Sequence, residues 1–321
     1  MADTESIVFL DRATLGPGVQ LRAPAFSHQW HEYGASTTEE AAARAGAASI
    51  VITNKVPITR DLLRQTSMLK LVAVAATGTD MVDLAACNAQ GVAVCNVRDY
   101  ATTSVPEHIL ALLLSLRRRL PAYQRRVREG DWQRSGQFCF FDRPVMDLAG
   151  STLGIIGTGS IARALGALAG ALGMKVLHHS LSGRDLSDLS LVSLDELLIQ
   201  ADVVSLNCPL TDASRNLINR QTLRQMKPEA LLINTARGAL VDTQALETAV
   251  LTGEIGGAGI DVSAQEPPAL DDPLMRLCHL DNVLVTPHSA WASEASMQAL
   301  ADQLITAIEA FVAGREMNRV A

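Results

Sequence analysis

Residues 153–162, LGIIGTGSIA, decide the fold of this 321-residue chain. Apolar residues lead into Gly157, and residues 163–172 carry apolar side chains at helical spacing, which predicts a strand, a tight glycine turn and a helix. Gly157 permits the turn, and Gly159 lacks the Cβ that would keep a pyrophosphate away from the backbone. The unpaired N–H groups at the start of the helix would bind that pyrophosphate. A turn without a ligand can share this pattern, but the strand before it and the helix after it favour dinucleotide binding.

The composition is typical of a globular protein with a large core. Hydrophobic residues make up 48% of the chain, and its length predicts two domains. The net charge of -7 argues against binding to nucleic acid or to an anionic membrane. The longest apolar run, residues 109–116, is too short to span a bilayer, and the first residues lack the features of a signal peptide. The five cysteines lie far apart, which predicts reduced thiols in a cytoplasmic protein, with neither a disulfide framework nor a metal site.

Strands and helices alternate along the chain in the rhythm of parallel sheets. The predicted strands are residues 7–10, 49–53, 71–75 and 92–95 in the first half, and 153–156, 175–178, 202–207, 230–234, 257–262 and 283–286 in the second. Small, polar or charged residues follow each strand, so they should line one crevice. An apolar helix at 105–116 precedes a polar helical arm at 120–132, and the arginines at 117–119 are expected to be solvated or to interact with the helix C-terminus.

Three ionisable residues follow predicted strands in the second half of the chain: Arg237, Glu266 and His288. Beside a dinucleotide crevice, this set suits hydride transfer to a 2-keto acid. Arg237 would hold the substrate carboxylate and polarise the ketone, and His288 would protonate the developing alkoxide and act as the base in reverse. Glu266 would bond the other imidazole nitrogen and orient the ring. Each has a structural alternative: Arg237 pairing with Asp242, Glu266 in an exposed loop, and His288 as a core histidine.

Motifs along almost the whole chain resemble those of the D-isomer-specific 2-hydroxyacid dehydrogenases. They are ATGTDMVDLAACNAQGVAVCN from Ala76, SVPEH from Ser104, LAGSTLGIIGTGSIA from Leu148, NCPLT from Asn207, MKPEALLINTARGALVD from Met226, GAGIDVSAQEPP from Gly257 and TPHSAWAS from Thr286. The resemblance implies that Arg237, Glu266 and His288 are the catalytic set.

The same resemblance implies contacts to the cofactor and to the substrate. Asp261 is expected to contact the nicotinamide carboxamide, and the backbone at Thr77, Gly78 and Thr79 is expected to bind the substrate carboxylate. The other expected cofactor-binding residues are Gly157, Thr158, Gly159, Ser160, Ile161, Cys208, Pro209, Thr235 and Ala236.

The resemblance also implies an α/β fold of two domains, in which a Rossmann dinucleotide-binding domain is inserted in a flavodoxin-like substrate domain. We expect residues 1–99 and 289–321 to form the substrate domain and residues 100–288 to form the NAD(P)-binding domain. Members of the family are usually dimeric, so we expect a homodimer, with residues 102–142 as the candidate interface. The apolar helix in that segment could equally pack within one chain.

Within the family, TNKVPIT from Thr53, NVRDYATTSVPEH from Asn96 and SGQFCFFDRPVMDLAGSTLG from Ser135 look most like the glycerate dehydrogenase (hydroxypyruvate reductase) branch. The expected reaction is the reversible reduction of hydroxypyruvate to D-glycerate, with glyoxylate as a second substrate. Lys55 could add positive charge for the carboxylate or be a surface lysine. The alternatives are another 2-keto acid reductase of the family and a non-catalytic nucleotide-sensing corepressor on the same scaffold.

One departure from the family pattern concerns the cofactor. NAD-preferring members carry an acidic residue at the end of the second strand of the dinucleotide fold, where it accepts hydrogen bonds from the ribose 2′-OH. The segment MKVLHHSLSGR places Ser180 at that point. Without a carboxylate there is no repulsion against a 2′-phosphate, which Ser180, Ser182 and Arg184 could bind together. We therefore expect NAD(P)(H) as the cofactor, with a preference for NADP(H). His178 and His179 point to opposite faces of the strand and are expected to flank this site rather than to bind a metal.

Overall fold

The structure, a computed structural model, describes residues 4–141, 144–183 and 186–321. The chain divides into two compact units, one formed by Met1–Ala101 with Ala292–Ala321 and the other by Thr102–Trp291. Each unit contains a parallel sheet. These two sheets confirm the predicted α/β fold.

The first unit begins with alternating strands and helices. Its elements as far as residue 101 are β1 (Glu5–Phe9), β2 (His28–Glu32), α1 (Thr38–Ala45), β3 (Ile50–Thr53), α2 (Arg60–Leu63), β4 (Leu71–Val74), α3 (Leu84–Gln90) and β5 (Ala93–Cys95). The strand order is β2-β1-β3-β4-β5, and all pairs are parallel. This is the flavodoxin-like order, in which the chain changes direction across the sheet between β1 and β3.

The second unit carries the glycine turn. Its elements are α4 (Ser104–Arg117), α5 (Leu120–Arg128), α6 (Asp131–Ser135), β6 (Thr152–Ile156), α7 (Ser160–Ala171), β7 (Lys175–His179), α8 (Leu194–Gln200), β8 (Val203–Leu206), α9 (Arg220–Leu223), β9 (Leu231–Asn234), α10 (Thr243–Leu251), β10 (Gly257–Ile260), α11 (Pro273–Leu277) and β11 (Val283–Val285). The parallel strands lie in the order β11-β10-β9-β8-β6-β7. The switch point therefore lies between β6 and β8, where such sheets bind ligands. The last helix, α12 (Glu294–Val312), returns to the first unit and packs against β4.

The arginines at the end of α4 differ from the prediction. Arg117 is only 6% exposed, and its Nη2 donates a hydrogen bond to the carbonyl of Asp147 at 3.0 Å. Burial lowers the pKa of its guanidinium. The prediction of a solvated group was wrong for Arg117 because it lies four residues after Leu113, on the buried face of α4. The predicted arm is also interrupted, since Gly130 adopts φ 82° between α5 and α6.

Candidate active site

The three predicted catalytic side chains follow neighbouring strands of the second sheet. Arg237 comes after β9, Glu266 after β10 and His288 after β11, and these strands are adjacent and parallel. Because the carboxyl ends of parallel strands meet at one edge of a sheet, the fold brings the three loops to the same edge.

His288 and Glu266 form a direct hydrogen bond. The imidazole Nδ1 lies 2.7 Å from Glu266 Oε2, while Glu266 Oε1 accepts the backbone N–H of Ser263 at 3.1 Å. A carboxylate can only accept, so Nδ1 carries the proton in this pair and Nε2 is the nitrogen available for proton exchange. The His288 side chain keeps 24% of its surface exposed, which gives a reactant access to the ring.

The backbone at His288 is held in an unusual conformation. Its φ of 53° lies in the left-handed region, which few non-glycine residues adopt. Its N–H donates to the Asp261 carbonyl at 2.7 Å, and the Trp291 indole N–H donates to its carbonyl at 3.0 Å. The Asp261 carboxylate accepts the next two backbone N–H groups, from Ser289 at 2.9 Å and Ala290 at 3.0 Å. Asp261 therefore anchors the loop that carries His288, a role that the sequence did not indicate.

A close approach between two loops positions Arg237. A Cβ on Gly238 would lie 2.0 Å from the backbone carbon of Ser263, so only glycine allows the Arg237 turn to pack against the segment that leads to Glu266. The buried Asn234 closes the same turn by donating to the Arg237 carbonyl at 2.9 Å. The Asp242 side chain, named in the structural alternative for Arg237, caps α10 by accepting the N–H of Ala245.

The glycine turn fits a dinucleotide. Gly157 has φ 134°, and a Cβ there would lie 2.2 Å from the carbonyl oxygen of Asn207, so the turn packs directly against the end of β8 at the switch point. A Cβ on Gly159 would meet no protein atom within 4 Å, and the N-terminus of α7 has no side-chain cap. Open space beside uncapped N–H groups suits an anionic group. In the neighbouring Thr235, the buried Oγ1 has no hydrogen-bond partner among the described residues, which leaves it available to a ligand.

The remaining predicted cofactor residues, apart from Ser180 and Arg184, lie in these same loops. Thr158, Ser160 and Ile161 form the glycine turn and the first turn of α7, Cys208 and Pro209 follow β8, and Thr235 and Ala236 follow β9. Burial raises the pKa of the Cys208 thiol to about 11, so the group stays protonated near neutral pH. Ser180 directly follows β7, and its Oγ lies 3.2 Å from Ser182 Oγ. Arg184 lies outside the described residues.

His178 supports the glycine turn. The side chain is buried, and its Nδ1 lies 3.2 Å from the carbonyl oxygen of Gly157. Burial lowers the pKa of the imidazole, so His178 is neutral near pH 7. Its neighbour His179 points elsewhere, with Nδ1 3.1 Å from the Val192 carbonyl oxygen.

In the first unit, the predicted Lys55 lies at the switch point between β1 and β3. Asp11, which is 3% exposed, accepts the backbone N–H groups of Asn54 at 2.9 Å, Lys55 at 2.6 Å and Val56 at 3.2 Å. Asp11 thus fixes the loop on which Lys55 is exposed. The sequence did not single out Asp11, because its partners are more than 40 residues away along the chain.

The predicted substrate loop at Thr77, Gly78 and Thr79 follows β4. Thr77 anchors it, since its Oγ1 donates to the Val97 carbonyl at 2.8 Å and its own carbonyl accepts from Asn96 Nδ2 at 2.7 Å. Both contacts hold the start of the loop in place.

Within residues 4–141, 144–183 and 186–321, no group of three or more His, Cys, Asp or Glu side chains could hold a metal ion. None of the helices in the described parts of the chain is both long and apolar enough to cross a membrane.

Comparison with known proteins identifies the family. A model of the NAD binding domain of the D-isomer specific 2-hydroxyacid dehydrogenases matches residues 110–290. The chain belongs to this family. As a D-2-hydroxyacid dehydrogenase it is 50% identical to a glycerate dehydrogenase of Methylorubrum extorquens, over 99% of both chains. It is 35% identical to a hydroxypyruvate reductase of Blautia hydrogenotrophica, over 98% of this chain and 99% of the relative.

A solved structure gives the same assignment. The D-lactate dehydrogenase of Aquifex aeolicus, complexed with NAD and lactic acid, aligns with a TM-score of 0.81 and 29% identity over 96% of each chain. The predicted resemblance to the family and to its glycerate dehydrogenase branch is therefore confirmed, and with it a nicotinamide cofactor for this dehydrogenase.

Proposed function

We propose that this dehydrogenase reversibly reduces hydroxypyruvate to D-glycerate, with glyoxylate as a second substrate. The observation that carries the proposal is the 2.7 Å hydrogen bond between His288 and Glu266, at the sheet edge that also presents Arg237. The similarity to a glycerate dehydrogenase and to a hydroxypyruvate reductase supports this choice among the 2-keto acids.

The three side chains divide the chemistry between them. When bound, the nicotinamide cofactor supplies the hydride that adds to C2 of the keto acid. His288 gives its Nε2 proton to the carbonyl oxygen, because Glu266 holds Nδ1 and stabilises the charged ring. Arg237 offers a planar pair of donors to the carboxylate and the carbonyl oxygen, which stabilises the charge that develops there. The reverse reaction uses His288 as the base.

We assign substrate binding to the first unit and NAD(P) binding to the second. The backbone of Thr77, Gly78 and Thr79 is proposed to bind the substrate carboxylate, and Lys55 to add positive charge. The buried Asp11 supports this role because it anchors three consecutive N–H groups and so holds the Lys55 loop in one conformation. Lys55→Met is expected to raise the KM for hydroxypyruvate and to leave the Tm unchanged.

We assign NADP(H) as the preferred cofactor. The support is Ser180, an uncharged residue directly after β7, with the Ser182 hydroxyl 3.2 Å from its own. Two hydroxyl groups can donate to a 2′-phosphate, whereas a carboxylate there would repel it. Ser180→Asp should therefore favour NADH, and Ser67→Asp, which adds the same charge to an exposed position in the other unit, should not.

Two alternatives compete with this proposal. Another 2-keto acid reductase of the family would use the same His288 and Arg237 on a different side chain at C3. A nucleotide-sensing corepressor would have no need for the proton donor or for the Glu266 hydrogen bond that orients it. The intact pair of His288 and Glu266 argues against the corepressor.

We also propose a cytoplasmic homodimer that meets through residues 102–142. Large apolar side chains are exposed on that segment, with Trp132 at 46%, Phe138 at 89% and Phe141 at 87%. Exposed apolar groups of this size are typical of an interface. Sedimentation equilibrium should give twice the chain mass, and the variant Phe138→Ser with Phe141→Ser should shift that mass towards the monomer.

The experiment that tests the substrate and the cofactor is a panel of steady-state rates. Hydroxypyruvate, glyoxylate and a branched-chain 2-keto acid are each reduced with NADPH and with NADH over a range of concentrations. We expect the highest kcat/KM for hydroxypyruvate with NADPH. A higher value with NADH would overturn the cofactor assignment alone, a higher value for the branched-chain acid would overturn the substrate, and no turnover would favour the corepressor.

A further inference from the structure

Another histidine, His108, contacts the residues that hold the His288 loop, and its Nε2 lies 3.6 Å from Asp261 Oδ1. His108 is on α4, and its Nε2 lies 3.0 Å from Thr286 Oγ1, the hydroxyl two residues before His288. The two residues are 178 positions apart in the sequence, so only the fold brings them together. The His108 side chain is 22% exposed.

The Thr286 hydroxyl is committed to a second partner. It donates to Asp261 Oδ1 at 2.5 Å, and the same oxygen accepts the backbone N–H of Ser289. The Asp261 side chain has no exposed surface. A buried carboxylate is stable only when hydrogen bonds satisfy it, so the Thr286 hydroxyl belongs to the set of donors that holds the Asp261 side chain in place.

The direction of these hydrogen bonds determines the tautomer of His108. A hydroxyl has one proton, and Thr286 gives it to an oxygen that can only accept. The contact with His108 must then run the other way, with Nε2–H as the donor to Thr286 Oγ1. A His108 in the opposite tautomer would compete for the hydroxyl proton and would turn it away from Asp261. The imidazole thus orients a hydroxyl that would otherwise rotate.

We propose that His108 is a positioning residue for His288, acting through the Thr286 hydroxyl and the Asp261 carboxylate. The Asp261 carboxylate accepts the backbone N–H groups of residues 289 and 290, which directly follow His288, so the orientation of the carboxylate fixes the loop that holds the proton donor. The inference rests on the proposed function for its kinetic consequence, but the tautomer of His108 is a property of the free protein.

The tautomer gives a test that does not depend on activity. In a long-range 1H–15N spectrum of histidine-labelled protein at pH 9, His108 is assigned by comparison with His108→Gln. We expect the Nε2-protonated pattern. A His108 protonated on Nδ1 would overturn the proposal whatever the enzyme turns over.

Kinetics test the consequence with paired variants. His108→Leu and Thr286→Val each remove one link, and each should lower kcat for hydroxypyruvate by about tenfold, while the KM for the cofactor stays within about twofold. His108→Gln places an amide donor near the same point, and Thr286→Ser keeps the hydroxyl, so both should recover most of the rate. His279→Leu, at an exposed histidine after α11, should match the unchanged protein.

The double variant tests whether His108 acts through Thr286 or whether the two residues affect kcat independently. If His108 acts through Thr286, the double variant His108→Leu with Thr286→Val should have a kcat no lower than that of the more impaired single variant. Losses that multiply, or a His108→Leu variant with full kcat, would overturn the proposal. If the unchanged protein does not turn over hydroxypyruvate, the proposed function fails, and the tautomer result still decides the inference.

Discussion

The Nδ1 atom of His288 lies 2.7 Å from Oε2 of Glu266, and this bond assigns the proton-transfer role to Nε2. The two residues follow adjacent strands, 22 positions apart, and each loop is tied down by backbone hydrogen bonds of its own. The pair is therefore set by the sheet and not by a local turn. Its orientation is available before any substrate binds.

Replacement of Glu266 by glutamine tests that pair. Glu266→Gln keeps the size of the side chain but removes the charge that favours the protonated ring, so kcat for hydroxypyruvate should fall by about tenfold to a hundredfold. The Tm should change little, because Glu266 is an exposed loop residue. Glu196→Gln, at an exposed position on α8, is the matched control, and a Glu266→Gln enzyme as fast as this control would contradict the role.

Alanine substitutions at three glycines distinguish an effect on stability from an effect on cofactor binding. Gly159→Ala meets open space and should fold normally, but its methyl group occupies the proposed phosphate site and should raise the Kd for the cofactor by at least about tenfold. Gly157→Ala meets the Asn207 carbonyl at φ 134° and should lower the free energy of unfolding by more than about 1 kcal/mol. Gly170→Ala, on α7 with no neighbour within 4 Å, should stabilise the protein slightly and leave cofactor binding unchanged. Normal cofactor affinity in Gly159→Ala would rule out the phosphate site.

Replacing Asp11 should change both the free energy of unfolding and the KM for hydroxypyruvate. Asp11→Asn turns an amide NH2 towards backbone N–H groups of residues 54–56, which leaves donors unsatisfied and should lower the free energy of unfolding by about 1–3 kcal/mol. The KM for hydroxypyruvate should rise as the Lys55 loop loosens. Urea titration and initial rates measure the two effects. Asp61→Asn, at an exposed site on α2, is the control, and equal stability of the two variants would show that Asp11 does not hold the loop.

An ion pair in the first unit gives a pH-dependent contribution to stability. Hydrogen bonds from Arg22, at 2.6 and 2.7 Å, lower the pKa of Glu309 from 4.5 to about 2. Because the folded pKa is lowered, the stabilisation is present above about pH 4.5 and is lost as the pH falls towards 2. Both partners are partly exposed, so Glu309→Gln should lose only about 1 kcal/mol at pH 7.

The Tm measured from pH 7 down to pH 3 tests this contribution. The gap between Glu309→Gln and the unchanged protein should narrow below pH 4.5. Glu316→Gln, at an exposed position with a weaker pair to Arg319, should show no such gap. A gap for Glu309→Gln that stays constant with pH would show that the carboxylate charge is not its source.

The sequence predicted the buried strands well but gave no sign of the exposed edge strand β2. Strands such as β3 and β4 are buried along their whole length and almost entirely apolar, because helices cover both faces of a parallel sheet. The edge strand β2 reads HQWHE and is largely exposed, so it has no apolar pattern to find. Arg117 shows the opposite failure: a charged residue predicted to be exposed occupies a buried position on α4.

The site was predictable only where its residues occur in motifs. Arg237, Glu266 and His288 each follow a strand within a recognisable segment, so spacing and family resemblance pointed to them. The contacts of Asp11 join residues more than 40 positions apart, and the contact of His108 joins residues 178 positions apart. No local sequence pattern encodes such contacts. Their roles depend on strand order, which a single sequence does not reveal.

The most direct measurement of the central claim is the turnover of hydroxypyruvate by His288→Asn. Asparagine tolerates the left-handed backbone at this position but cannot donate the proton, so the variant should fold and bind cofactor normally. We predict that kcat falls by at least about a hundredfold, while the Tm and the cofactor Kd stay unchanged. Turnover within about twofold of the unchanged protein would contradict the assignment of His288 as the proton donor.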